Sequence, residues 1–468
     1  MTVRGLITAI QITLFSASVT IAANPRAMNY IIDVTFEPQN SFMQASSLIT
    51  LDSTSVPSDT IVFYLHGELS VDSLLLDGKP VNFNQTSVFY YDDYSLIATR
   101  VSFYGKTDRF SRLAIFYEGY FHRSSARSPS DYMRIDPDGV FLRSYGYSLW
   151  FPVLLESRSD SYKTDFSDVT IHTPAEYVPV FVGKRLSEEV RQGQRISRWR
   201  ALQFDLFSAQ CTAQKSVVSG RGDFYLYHYD DSLSTVRAKD ILAFVEILAG
   251  KFGKNYNKNA AIGPLYIMEM PQYGDISSAN VTGITSDIWR NFDKNDWYRR
   301  GLAHELVHPF VQTDIKRTDS LYALEIEGFP SYLHLPVLAG IMGQEWYEKI
   351  MQAAENDYLV KKKTGLDLYD RPVPPEKPLT RISADEIGDY KDVFVLDDRA
   401  LLFLNWLYRE LGEDRFFEFT SGIFNAGTLT FDSFQRLILK YLPDAGDDIN
   451  IWLCTMEYPP RFYINKNR

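Results

Sequence analysis

The feature that most constrains this chain is a pair of histidines four residues apart, His304 and His308, with Glu305 directly after the first. On an α-helix, residues at this spacing lie on one face, so both imidazoles can reach a single metal ion. A carboxylate from a following helix would complete three protein ligands and leave a fourth position for water, which is the pattern of catalytic zinc sites. Glu327 follows His308 after eighteen intervening residues and is the predicted third ligand, with one zinc ion as the predicted cofactor.

Glu305 has the position that the general base occupies in zinc peptidases with this helical motif. Zinc polarises a scissile carbonyl and lowers the pKa of its bound water to about 7. Glu305 would accept a proton from the attacking water and deliver it to the leaving amine. Because the chain has only 7 histidines in 468 residues, two at this spacing around a glutamate are improbable by chance. The alternative interpretation is a helix with two structural histidines.

Other nearby residues offer alternative ligands. Asp314 or Asp319 could supply a carboxylate in principle, but Glu327 has the better spacing. His334 lies seven residues after Glu327, which places it on the same face of a predicted helix. We expect His334 to be a packed histidine, because a fourth protein ligand would close the site to water.

The residue that follows the second histidine is a proline, Pro309. Proline disfavours α geometry in the preceding residue and has no N–H group for a helical hydrogen bond. The helix that carries His304 is therefore predicted to bend or end at His308, with both ligands retained.

Composition and charge bound the class of protein. The chain is 45% hydrophobic and 15% aromatic, which is enough to fill large cores, and its length predicts two or three domains. The net charge of −11 disfavours nucleic acid as a partner, because neutralising phosphates needs a basic face. The two cysteines, Cys211 and Cys454, are open to two interpretations: a disulfide formed after export, or two small buried hydrophobic residues.

The first half of the chain has the pattern of β-structure. Asp77-Gly78 between apolar runs predicts a hairpin turn, because this pair tolerates positive φ. Short apolar runs at regular spacing continue to about Gly220 and predict an all-β sandwich. The first of them alternates between buried and exposed positions, as a half-buried strand requires, at Tyr30, Ile32, Val34 and Phe36.

The second half changes to helical periodicity. After Ser232, apolar residues at helical spacing predict a helix that ends at Gly250. A second predicted helix, Ser320–Met342, carries Glu327, and a third spans Asp397–Leu411.

The N-terminus has the pattern of an export signal. Arg4 precedes the mostly apolar run Leu6–Ile21, and Ala22-Ala23 offers a small-residue cleavage site. The predicted organisation is a signal peptide over 1–23, a β-sandwich over 24–222 and a catalytic domain over 223–468, with a helical lobe from about 343 to 468. No other segment reaches transmembrane length, so we expect an exported protein without stable membrane insertion after cleavage. The alternative is an uncleaved N-terminal membrane anchor.

The metal motif and three other segments resemble the aminopeptidase N family of gluzincin metallopeptidases. Leu324–Phe329 is similar to the family's W-L-N-E-G-F segment, and Tyr266–Met270 stands where the family has G-A-M-E-N. Ile451–Leu453, with Tyr458-Pro459, resembles the family's W-L-x-G-T-G-Y-P ending. The resemblance covers most of the mature chain and implies a short form without the family's large C-terminal superhelical domain.

This resemblance implies an α+β multidomain fold, in which an N-terminal β-sandwich precedes a thermolysin-like, mainly helical catalytic domain. It implies an aminopeptidase with a peptide substrate, whose free α-amino group would bind Glu269 at a strand edge that the peptide approaches. It also implies a tyrosine that stabilises the oxyanion. Tyr390 is the candidate, whereas aligning on the helix that ends at Leu411 puts Asp397 at that place, with Arg399 where the family has lysine. A plain strand-end carboxylate at Glu269 and a loop tyrosine at Tyr390 are the structural alternatives.

Two other functions stay open at this point. One is a binding or scaffold protein that keeps the metal fold without efficient catalysis, although retention of Glu305 argues against it. The other is a zinc hydrolase that cleaves internal bonds or acts on a non-peptide substrate.

Overall fold

The structure is a computed structural model in which a β-rich first half is followed by a mainly helical second half, which confirms the predicted fold class. Tyr390, Asp397, Asp314 and the predicted signal segment 1–23 lie outside the residues that it describes. These residues are 25–52, 60–90, 93–105, 107, 110–121, 133–142, 149–154, 164–202, 211–256, 264–271, 276–311, 315, 319–367, 370–383, 386–387, 398–425 and 429–457.

The described strands of the first half form three antiparallel or mixed sheets. The largest has eight strands in the order β13-β14-β11-β1-β2-β8-β4-β5, and the others have the orders β12-β15-β10-β9 and β3-β7-β6. The strands are β1 Arg26–Glu37, β2 Phe42–Asp52, β3 Thr60–His66, β4 Leu69–Leu76, β5 Lys79–Pro80, β6 Phe83–Tyr90, β7 Asp93–Tyr104, β8 Phe110–Tyr120, β9 Met133–Asp136, β10 Gly139–Leu142, β11 Phe166–Pro174, β12 Val178–Phe181, β13 Lys184–Arg191, β14 Gln194–Leu202 and β15 Cys211–Gln214.

Aromatic and aliphatic side chains fill the core between these sheets. The alternation predicted for β1 is confirmed, because its four apolar residues from Tyr30 to Phe36 are all buried. Trp150 packs edge-to-face against Phe151, with ring centroids 5.1 Å apart. The predicted hairpin turn is also confirmed: Asp77 and Gly78 have φ of 50° and 77° and connect β4 to β5.

A five-stranded mixed sheet begins the second half and supports the helices. Its strands are in the order β16-β17-β18-β20-β19, so β18 is internal and β19 is an edge strand. The turn between β16 and β17 spans the predicted domain boundary at 222/223, and Tyr266 on β18 packs into the core of the first half. The strands are β16 Val217–Arg221, β17 Phe224–His228, β18 Leu265–Met270, β19 Ile276–Ser278 and β20 Val281–Thr285.

The helices pack around one large apolar core. They are α1 Ser232–Asn255, α2 Ser286–Asn291, α3 Asp296–Val307, α4 Phe329–Met342, α5 Gln344–Thr364, α6 Arg399–Leu411, α7 Glu413–Asn425, α8 Phe431–Tyr441 and α9 Gly446–Cys454, with short 3-10 turns at Pro38–Asn40, His308–Phe310 and Leu379–Arg381. Among the described residues, none of these helices is long and apolar enough to cross a membrane.

Two predicted helices differ from those observed. The helix predicted to end at Gly250 continues to Asn255, because Phe252 and Tyr256 extend its buried face beyond the glycine. The helix predicted over 320–342 is divided into a π-helical turn, Leu324–Gly328, and α4.

The cysteines are not joined. Cys211 and Cys454 are both free thiols. Cys211 is buried on β15, and burial raises the pKa of its thiol well above the usual range, so it stays protonated and behaves as a small apolar residue.

Buried charges hold the start of α6 against the end of the chain. The guanidinium of Arg399 is fully buried and donates to the backbone carbonyls of Ile451, Trp452 and Glu457 at 2.6, 2.8 and 3.0 Å. The adjacent Asp398 accepts from Lys361 Nζ at 2.8 Å. Since unpaired buried charges are costly, these contacts fix where α6 begins.

We expect Lys361→Met to lower the free energy of unfolding by about 3 kcal/mol, because it leaves the buried Asp398 carboxylate without its ammonium partner. Lys363→Met, on the exposed side of the same helix, is the matched control and should change stability by less than about 0.5 kcal/mol. Urea denaturation followed by circular dichroism measures both, and equal midpoints for the two variants would contradict the structural role of this pair.

Candidate metal centre

Helix α3 positions the histidine pair. Its N-cap, Asn295, accepts hydrogen bonds from the backbone N–H groups of Trp297 and Tyr298, which satisfies two donors of the first turn. The helix ends at Val307, and the 3-10 turn His308–Phe310 follows, in agreement with the prediction made from the proline. His308 keeps φ −47° and ψ −48°, so its imidazole still lies on the face that carries His304.

Three side chains converge at this face. The Nε2 atoms of His304 and His308 are 3.3 Å apart, and Glu327 Oε2 lies 3.6 Å and 3.9 Å from them. Their possible ligand atoms all lie within 4.8 Å of one another. Each imidazole is 16% exposed, whereas the Glu327 side chain is 5% exposed, so the group opens towards solvent on the histidine side.

The donor set fits zinc. Two imidazole nitrogens and one carboxylate oxygen form the three-ligand set of catalytic zinc sites, which leaves a further position for water or substrate. Metal ions also draw together donors that otherwise gain little from facing one another, and here a carboxylate faces two imidazole nitrogens.

A π-helical turn places Glu327. Turns of this kind add one residue to the helical repeat and occur often at functional sites. Ser331 Oγ donates to the Glu327 carbonyl oxygen at 2.7 Å. Gly328 allows the turn to approach α6: a Cβ at this residue would lie 2.7 Å from Leu324 Cδ1 and 3.1 Å from Ala400 Cβ. Close packing therefore explains why a glycine stands at this position of the E-G-F segment.

Glu305 lies beside the three candidate ligands. Its Oε1 atom is 3.8 Å from His304 Nε2, and its side chain is largely buried. A carboxylate next to the histidine donors, but outside the three-ligand group, is positioned to exchange a proton with a molecule bound there.

The position of Glu269 differs from the one that the family resemblance implies. It is fully buried on the internal strand β18, so β18 is not the strand edge that a peptide approaches. Its carboxylate accepts from Tyr229 N at 3.0 Å, Ser234 Oγ at 3.1 Å and Ser286 Oγ at 3.0 Å, and Arg290 Nε lies 3.6 Å away. These contacts tie β18 to the starts of α1 and α2, and we do not assign Glu269 the amine-binding role.

The edge strand beside α3 is β19, which was not predicted from the sequence. It pairs antiparallel with β20 and lies against both α3 and the 3-10 turn that follows. At three residues, β19 is too short to give a periodic signal. Asp319, an alternative ligand, instead accepts from Leu321 N at 2.9 Å within a turn. Tyr390 and Asp397, the candidates for oxyanion stabilisation, lie outside the described residues.

His334 lies behind the first histidine on α4. Its ring is buried and perpendicular to that of His304, with ring centroids 5.7 Å apart. Burial lowers the pKa of His334 well below its ordinary value, and the proximity of His304 and Arg300 lowers it further. It does not belong to the three-residue ligand group, as expected for a packed histidine.

The comparisons with known proteins agree with this architecture. The chain matches no family model and no curated protein. Among solved structures, it is similar to an M1 zinc metallopeptidase from Deinococcus radiodurans, with a TM-score of 0.67 at 15% identity over 93% of this chain and 96% of that chain. A form of that protein bound to a Tyr-Ser-Ala substrate gives a TM-score of 0.68 at 16% identity, with the same coverage.

A second similar structure is leukotriene A4 hydrolase from Saccharomyces cerevisiae. Its TM-score is 0.68 at 17% identity, over 94% of this chain and 69% of that chain. The chain therefore has the two-domain fold of the M1 zinc metallopeptidases. The His304, His308 and Glu327 group lies within that fold.

We expect one zinc ion per chain in the wild type, and zinc content well below half of that value in Glu327→Ala and in His304→Ala. Each substitution removes one of three protein ligands, which leaves too few for stable binding. Elemental analysis after dialysis measures this, with His172→Gln on β11 as the matched histidine control. Full zinc content in the Glu327 variant would contradict the ligand assignment.

Proposed function

We propose that this chain is a zinc-dependent hydrolase of peptide bonds. The observation that carries the proposal is the convergence of His304, His308 and Glu327, with Glu305 beside them, within the fold of the M1 zinc metallopeptidases. A purely structural histidine pair would not need either carboxylate.

The reaction assigns a separate task to each group. His304, His308 and Glu327 would hold the zinc ion, which would supply Lewis acidity for a carbonyl. Glu305 takes a proton from the attacking water and returns it to the leaving amine, because its carboxylate lies 3.8 Å from a ligand nitrogen. Tyr390 remains the proposed second stabiliser of the oxyanion, a role that rests on the family resemblance alone.

Strand β19 supports a peptide as the substrate. An edge strand offers unpaired backbone N–H and C=O groups, with which an extended peptide can form one more strand. In the described sheet, β20 pairs with one side of β19 and no strand pairs with the other. Because β19 lies against α3, a peptide added there would run past the ligand group.

Two forms of peptide hydrolysis are compatible with this site. The family resemblance favours removal of N-terminal residues, which requires a group that binds the free α-amine. The environment of Glu269 favours cleavage of internal bonds, because three protein donors and Arg290 already occupy its buried carboxylate. A substrate amine would have to displace those partners within the core.

The proposed location is outside the cytoplasm, with residues 1–23 as a cleaved export signal. Its support is the sequence pattern of a basic residue, an apolar run and a small-residue cleavage site.

We expect Glu305→Gln to retain its zinc and to lower hydrolysis of a fluorogenic peptide panel by about 100- to 10,000-fold, since the amide cannot accept the proton. Glu410→Gln, on the exposed end of α6, is the matched control and should keep wild-type activity. Hydrolysis that Glu305→Gln leaves unchanged would exclude the mechanism. Zinc binding without turnover in the wild type would instead favour a metal-binding scaffold.

A second experiment separates the two forms of hydrolysis. One peptide is supplied with a free or an acetylated N-terminus, and the products are identified by mass spectrometry. If the enzyme cleaves internal bonds, the acetylated peptide is cleaved at a comparable rate. If Glu269 is structural, Glu269→Gln lowers the melting temperature without a selective rise in KM for the free peptide. Loss of cleavage on acetylation would establish aminopeptidase specificity and contradict the preference for internal bonds.

A further inference from the structure

His334 carries a buried hydrogen-bond acceptor that the fold does not use. His334 lies in the middle of α4 with a buried side chain, and its Nδ1 is 2.7 Å from the backbone carbonyl oxygen of Pro330. A carbonyl oxygen only accepts, so Nδ1 carries the ring proton and donates it. In the neutral form of the ring, Nε2 then carries a lone pair.

That lone pair has no hydrogen-bond partner among the described residues. A buried acceptor left in this state costs about 1 to 3 kcal/mol, so its retention calls for a reason. Apolar packing alone would be served better by leucine or phenylalanine at the same place.

The neighbouring His304 requires a hydrogen-bond acceptor when it ligates a metal. Its Nε2 edge faces His308 and Glu327, 3.3 Å and 3.6 Å away. Its Nδ1 makes no hydrogen bond within the part of the chain that the structure describes. When a histidine ligates a metal through Nε2, its proton resides on Nδ1, and that N–H almost always finds an acceptor.

We propose that His334 is a positioning residue that accepts a hydrogen bond from His304 Nδ1, directly or through one water, when His304 ligates zinc. The two rings are perpendicular with centroids 5.7 Å apart, a separation that one hydrogen bond or one bridging water can span. The inference rests on the proposed zinc site. It assigns His334 to orientation of a ligand and gives it no contact with substrate.

The identity of the acceptor has a chemical consequence. A carboxylate that accepts from a ligand histidine makes that imidazole more basic and so a stronger donor to the metal. A neutral imidazole does this less. His334 would therefore orient the ligand without adding a negative charge of its own, which would leave more of the Lewis acidity of the metal for substrate.

Substitutions can separate the role of Nδ1 as a donor from the role of Nε2 as an acceptor. His334→Asn keeps a donor near the Nδ1 position, which can still reach the Pro330 carbonyl, but removes the Nε2 acceptor. His334→Gln keeps an acceptor near the Nε2 position. His334→Phe keeps the ring volume and removes both polar atoms.

Zinc affinity of the full chain, measured by competition with a chromophoric chelator, is the main measurement. We expect the dissociation constant to rise by about 10- to 100-fold in His334→Asn and His334→Phe and to stay near the wild-type value in His334→Gln. The visible absorption of the cobalt-substituted protein should shift in the first two variants only. Thermal unfolding of the metal-free proteins measures packing separately.

Equal affinity in all variants, or an equal loss in His334→Asn and His334→Gln, would overturn the inference and leave His334 as a packing residue. A wild type that binds no zinc would contradict the metal centre itself, a result distinct from unchanged affinity in the variants.

Discussion

The candidate site depends on one close approach, between the end of α3 and the π-helical turn that follows it in the chain. This approach brings a carboxylate to within 4 Å of two imidazole nitrogens. Apolar residues before the histidine pair and between its two members, such as Leu302 and Leu306, are fully or almost fully buried. Packing therefore holds together the elements that carry the donors, which reduces the ordering that metal binding must supply.

The two buried glutamates near this site illustrate how environment decides the role of a residue type. Glu269 has three hydrogen-bond donors and a nearby guanidinium, so the protein itself satisfies its negative charge. Glu327 instead has its Oε2 against two histidines that are partly open to solvent. Both carboxylates are almost fully buried, and only the second faces groups that share an affinity for a cation.

Features that local sequence determines could be predicted. The histidine spacing, the hairpin at Asp77-Gly78, the end of α3 before Pro309 and the alternation along β1 each depend on neighbouring residues and backbone sterics. Features that depend on distant contacts could not. Helix α1 passes Gly250 because Phe252 finds partners in the core, and the π-helical turn depends on packing of Gly328 against α6. Similarity to a short motif also put Glu269 on the wrong kind of strand, since strand order is a property of the whole sheet.

The end of the chain belongs to the same structural unit as the metal centre. Arg399 donates to two carbonyls within α9 and to one carbonyl that follows it. The next residue, Ala400, packs against Gly328. Gly328 directly follows the candidate ligand Glu327 in the π-helical turn. A set of contacts thus runs from the C-terminal segment through α6 to one of the three candidate ligands. A residue that touches no substrate can therefore still influence where Glu327, the candidate third ligand, stands.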